Sequence, residues 1–200
     1  MYQKRFHVFI FTVMLIMISA FIEGCTHVVK TSDMSGLQTG SPLNSIKPKI
    51  FTFNEFKDIG GGDDPSVFSK NAGHIFKLDQ SPASMVALAL RKEFERNGHM
   101  CISSSPQAKS NFIIDGTIFK FMVMSRPLLF HVEHHSKIAL KLTVSRVPIS
   151  NGVFVKAYQG EYESKEGSGV EYLGNNIHKS LLAMIKEIST DQELLEFLQK

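Results

Sequence analysis

The chain has 200 residues, 43% of them hydrophobic and 20% charged, with a formal net charge of +3. That near-neutral balance argues against a nucleic-acid binder working through a basic stripe, and two cysteines cannot build a disulfide framework or a four-thiolate zinc site. The length suffices for one domain with a single core.

In chain order, the first feature is a leader. Lys4 and Arg5 precede an apolar run from Phe6 to Ile22, broken only by His7, Thr12 and Ser19. About 17 residues falls short of the roughly 20 a spanning helix needs and suits the apolar region of an export signal. Residues 1–24 are therefore predicted to be a signal peptide. The Gly24-Cys25 pair that ends the run resembles the lipobox of bacterial lipoproteins, with Glu23 standing where that motif usually has a small residue. The resemblance implies a lipidated (palmitate-bearing) Cys25 as the first mature residue. Thr26 behind it, in place of Asp, implies the periplasmic face of the outer membrane. With Cys25 acylated, Cys101 is left single in an oxidising compartment, and its neighbours Met100 and Ile102 mark it as a packed strand residue.

Residues 25–49 are predicted to be the lipidated Cys and a flexible tether. The stretch is rich in Ser, Thr, Gly and Lys, holds Pro42 and Pro48, and has no sustained apolar period. Such a coil spans on the order of 25–30 Å and would lift a domain off the membrane. Residues 50–200 are predicted to form a single periplasmic domain. Its first strand covers Ile50 to Phe56, followed by a solvated loop holding Gly60, Gly61, Gly62, Asp63 and Asp64. That loop lacks both a phosphate-loop spacing and a calcium-loop pattern. Ser81 as N-cap, Pro82 at the first helical position and Asn97-Gly98 as stop frame an amphipathic helix with Ala83, Val86, Ala87, Leu90 and Phe94 on its apolar face.

A short strand is expected at Met100 to Ser103 and a longer one from Asn111 to Met124, with a bulge near Phe119 where the apolar phase changes. Leu129 to Arg146 alternates most clearly: Ile138, Leu140, Leu142 and Val144 share one parity, Lys137, Lys141, Thr143 and Ser145 the other. His134 and Ser136 interrupt the apolar face and predict a bend. Asn151-Gly152 predicts a hairpin into a return strand, Val153 to Tyr162, and Glu161, Glu163 and Glu166 are read as a solvated run in a loop after the hairpin. A helical stripe from Glu171 to Ile188 and a Thr190–Glu193 capping box opening a last short helix complete the chain. The order β-α-β-β-β-β-α-α reads as α+β: a mixed, mostly antiparallel sheet with helices packed on one face.

The ligand-type residues that cluster are His131, Glu133 and His135. Two imidazoles and a carboxylate are the donor set of an open zinc site. At alternate strand positions, however, they spread over some 13 Å and cannot converge on one ion unless the strand curls. The solvent-facing reading is preferred, and no metal or cofactor is expected. No nucleophile elbow, H-E-x-x-H or C-x-x-C motif occurs.

The pattern resembles the YajG-like lipoproteins of Gram-negative bacteria. The likeness is carried by Gly24-Cys25, by Phe94-Glu95-Arg96-Asn97-Gly98, and by Lys137-Ile138-Ala139-Leu140. Further along, Asn151-Gly152, Tyr158-x-x-x-Tyr162 and the tail from Ile188 to Leu198 add to it. That family brings no catalytic residues. The segment around Asn111 to Ile118 is also similar to auxiliary lipoproteins of lipid-transporting ABC systems and to lipoprotein activators of cell-wall synthases. The implied function is a non-enzymatic binding or accessory module: anchored through Cys25, facing an envelope protein partner with the Lys137 and Lys141 side of its sheet, and with no nucleic-acid role. The rival reading is a metal-dependent enzyme using His131, Glu133 and His135, or a thiol enzyme using Cys101.

Overall fold

The computed structural model describes residues 26–29, 41–59, 67–71, 74–103, 110–129, 131–166 and 170–200. Cys25 and the Gly60–Asp64 loop lie outside them.

The larger sheet is built around long antiparallel strands. β7 (Phe112–Pro127), β8 (Val132–Arg146) and β9 (Val153–Glu166) form a meander. β2 (Ile50–Phe53) lies parallel to β7 on one side and to β6 (Met100–Ser103) on the other, and the two-residue β3 (Lys57–Asp58) continues along β7. The spatial order is β6-β2-β7-β8-β9, so the sheet is mixed and mostly antiparallel, as its alternation predicts. The register shift between Ile118 and Lys120 is the bulge foreshadowed by the phase change at Phe119.

Three helices cover one face: α1 (Pro82–Arg96), α2 (Val170–Thr190) and α3 (Gln192–Gln199). The fold is therefore α+β. Ser81 caps α1 by accepting the Ser84 N–H at 3.2 Å, and Gly98, at a φ of 84° that other residues rarely adopt, follows the helix end. Beneath the helices lies one core. Leu140, Leu142 and Val144 from β8 meet Leu181, Met184 and Ile188 from α2, while Phe51, Phe94 and Phe112 pack ring on ring. Burying each aliphatic side chain of this kind contributes about 1.5–3 kcal/mol.

α2 sits unusually close to β9. A Cβ placed on Gly160 would lie 1.8 Å from the Ser180 carbonyl oxygen and 2.7 Å from the Met184 nitrogen. Only a residue without a side chain admits the helix at that distance.

Several elements depart from the sequence reading. A second, three-stranded sheet of order β1-β5-β4 joins β1 (Thr26–Val29), β4 (Val67–Asn71) and β5 (His74–Leu78). Its β1 packs against α2. Thus the stretch predicted as flexible tether contributes a paired strand. It also contributes the short helical turn Pro42–Ser45, and Val29, Leu43 and Ile46 are all buried. Isolated apolar side chains can fill slots in a core without any period to announce them. His99 fastens this segment: its Nδ1 accepts the Lys49 N–H at 3.3 Å, its ring lies against Phe51 and Phe94, and burial lowers its pKa despite an opposing bond to the Leu43 backbone.

At His134 and Ser136, where a bend is predicted, pairing with both neighbours runs on without a register shift. The predicted Thr190 capping box is replaced by Asp191, whose carboxylate accepts the Glu193 and Leu194 N–H groups. Thr190 instead bonds back to the Lys186 carbonyl and ends α2. β9 also runs on to Glu166, so Glu161 and Glu163 lie on a strand and not in a loop.

Candidate functional site

Among the described residues the sheet face turned away from the helices is partly open: Lys141 and Ala157 are exposed, Thr143 is half-buried, and Ser145 is buried at 7% exposure. Cross-strand pairs place Thr117, Lys141 and Ala157 in one row, with Asp115, Thr143 and Val155 in the next. The opposite parity of the same strands carries Leu140, Leu142 and Val144 into the core, so the alternation fixes which side is open. Lys141 is exposed, whereas Lys137 is half-buried and bonded to Glu161 on β9. Lys137, predicted as free surface, is thus one half of a cross-strand ion pair. This pair holds the Glu161 carboxyl below its ordinary pKa, with His135 and Lys120 contributing further positive charge. Toward β9's start the face turns apolar: Val153 and Val155 are each about half exposed. Charge balance along the face is mixed, which suits a protein surface better than a polyanion.

The strand does not bring His131, Glu133 and His135 together as a metal site. The Glu133 carboxylate is bonded to Lys165 at 3.2 Å, and the register sets Glu133 opposite Arg126 and His135 opposite Met124. Among the described residues no group of three His, Cys, Asp or Glu side chains is placed to hold an ion.

Cys101 is a buried thiol, as its apolar neighbours predict. Its pKa is pushed up to about 12, first by burial and then by Glu95, against a smaller opposing effect of Arg91. A thiol with so little thiolate is a poor nucleophile.

Two polar clusters, one buried and one partly exposed, escaped the sequence reading. In the first, Ser136 donates to the Asn176 carbonyl at 2.8 Å and lies 3.0 Å from Ser180 Oγ, while Asn176 Nδ2 donates to Ser164 at 2.8 Å. His134 lies beside this seam, bonded through Nδ1 to Ser125 at 2.9 Å and stacked on Tyr172. These bonds let two polar residues occupy core positions without interrupting the strand's pairing, each contributing about 1 kcal/mol net. His134 is 2% exposed, so this ring has no opening to a substrate. The signal in the sequence was the small residue type at each position: Ser136, Ser164 and Ser180 leave room for one another.

The second cluster clamps α3 to the sheet. Tyr158 donates to Asp191 at 2.6 Å, and Lys156 reaches Asp191 at 2.9 Å and Glu193 at 2.8 Å. Phe197 packs on Phe112 and Phe154, with the Arg146 guanidinium 4.3 Å over its ring. Burial pushes the Asp191 carboxyl up, but bonds from Tyr158, Lys156 and the Leu194 N–H outweigh it and hold its pKa below the ordinary value. A depressed folded pKa contributes stability above the unfolded pKa, and this is lost as pH falls through the folded value. Asp191→Ala should therefore cost about 0.5–2 kcal/mol near neutral pH through the lost cap. Urea melts at about pH 7 and about pH 3 would show that deficit shrinking in acid. An equal deficit at both values would assign the effect to something other than the carboxylate.

Helices on one face of a mixed sheet make this an α+β domain, and among the described residues no group of three metal-ligating side chains converges. Residues 67–199 match the family model described as an uncharacterized lipoprotein, and the chain belongs to that family. The YajG-like resemblance agrees with this membership. Family membership places the chain in the cell envelope as a lipid-anchored protein. No curated protein matches.

Among solved structures, protein XCC0632 from Xanthomonas campestris is similar, with a TM-score of 0.52 at 10% identity over 82% of this chain and 91% of that one. Weaker likenesses include lipoprotein GNA1162 from Neisseria meningitidis, with a TM-score of 0.38 at 6% identity over 64% of this chain and 92% of that one. A minor lipoprotein from Acinetobacter baumannii gives 0.39 at 7% identity over 70% and 91%. The first of these supports the fold; the other two carry no argument. No helix of the described residues is long and apolar enough to cross a membrane.

Proposed function

We propose that this chain is a non-enzymatic accessory module of the outer membrane's periplasmic face, held there by acylated Cys25 after removal of residues 1–24. Its task is to bind another envelope protein through the open sheet face that carries Lys137 and Lys141. The observation behind this reading is the partly open face, on which Lys141 is exposed and Val153 and Val155 are about half exposed. Sheet faces and edges of this kind receive other proteins readily.

A photo-crosslinking residue at position 141 tests the surface in living cells, with position 186, exposed on the outer side of α2, as control. A discrete adduct at 141 that is absent at 186 and weakened by Lys137→Glu supports the reading. Equal labelling at both positions sinks it. The anchor is tested separately: Cys25→Ala should abolish incorporation of labelled palmitate, and continued incorporation would assign lipidation elsewhere.

A further inference from the structure

We propose that the tip of the β7–β8 hairpin rests in the lipid interface of the membrane that anchors the chain. Leu129 is 94% exposed, the most exposed large hydrophobic side chain among the described residues; the adjacent Leu128 is 38% exposed, and Met124, further back on β7, is 51% exposed. The Leu128 N–H donates to the His131 carbonyl at 2.8 Å and ties the two strand ends together. An aliphatic projection of this kind on a water-facing surface is unfavourable unless something apolar receives it.

The start of the fold indicates which receiver. β1 begins at Thr26, directly after Cys25. If Cys25 carries the lipid, as the proposal above holds and on which this inference rests, no free tether separates the acyl chains from the folded body. The domain then lies against the bilayer instead of standing off it. Arg126 is exposed one strand position from the tip, and Lys165 lies across β8, bonded to Glu133. Exposed aliphatic side chains at a strand end match an interface of acyl chains, while the charges behind them are balanced, with Glu133 opposite Arg126 and bonded to Lys165.

The test uses the full lipidated chain in vesicles of phosphatidylethanolamine and phosphatidylglycerol containing a nitroxide-labelled lipid. One preparation carries Leu129→Cys with an environment-sensitive fluorophore. A second carries the fluorophore at Ser150→Cys, in the loop at the opposite end of β8. The fluorophore at 129 should shift to the blue and lose intensity about twofold, while that at 150 does neither. Adding Leu128→Asp should remove the quenching at 129 without altering thermal melting.

Vesicle flotation reads the anchor in the same samples. A chain that floats but shows no more quenching at 129 than at 150 overturns the tip contact alone. Quenching that survives Leu128→Asp overturns the tip contact as well. A chain that does not float overturns the anchor reading and this inference together.

Discussion

Gly160→Ala should cost about 3 kcal/mol or more, an unusually large effect for adding one methyl group. The new carbon would have to occupy the position 1.8 Å from the Ser180 carbonyl oxygen, and both nearest obstacles are backbone atoms of α2. A crowded side chain can change rotamer, but a helix must move as a body. Moving α2 would also strain the Ser136–Asn176 and Ser136–Ser180 bonds on its inner face. Urea denaturation would show a lower midpoint with a similar slope. A variant within about 0.5 kcal/mol of the parent would mean that α2 is not seated on β9 as described.

The second large effect separates the two faces of β8. Leu140 is fully buried, so Leu140→Asp places an unpaired carboxylate in the core and should unfold the domain. Lys141→Glu, one residue along on the open face, should shift stability by no more than about 0.5 kcal/mol. Lys137→Glu removes the Glu161 pair and sets like charges opposite each other, with an expected cost up to about 1 kcal/mol. Circular-dichroism melts of the three variants are enough to check this. A melted Lys141→Glu beside an intact Leu140→Asp would put the strand register off by one.

The two faces of β8 also explain how much of the fold was legible beforehand. Alternation over the strand, helical spacing in α1 and α2 and the bulge at Phe119 all come from repeated apolar positions, and repetition survives local noise. What went unread has no repetition. β1, β4 and β5 are four or five residues long, and their pairing depends on partners elsewhere in the chain. Asp191 displaced Thr190 as cap because Tyr158 and Lys156 fix its carboxylate from another element, which no local motif encodes. For the candidate site, the side of the sheet was predictable by parity. The Lys137–Glu161 pair was not, because it required the register of β9.

The position of β2 between two parallel partners bears on the order in which the exported chain can assemble. Residues 50–53 pair with 100–103 and with 112–114, and β1 pairs with residues 75–78. Neither N-terminal strand has a partner until some fifty further residues have crossed the membrane. The β7–β8–β9 meander, in contrast, joins neighbours in sequence and receives α2 immediately after it. Contacts between sequence neighbours close sooner than those spanning long loops. The C-terminal half is therefore expected to become a nucleus onto which the N-terminal strands are added last. On the proposed acylation of Cys25, the modifying enzymes would meet that residue while its adjoining strand is still unpaired.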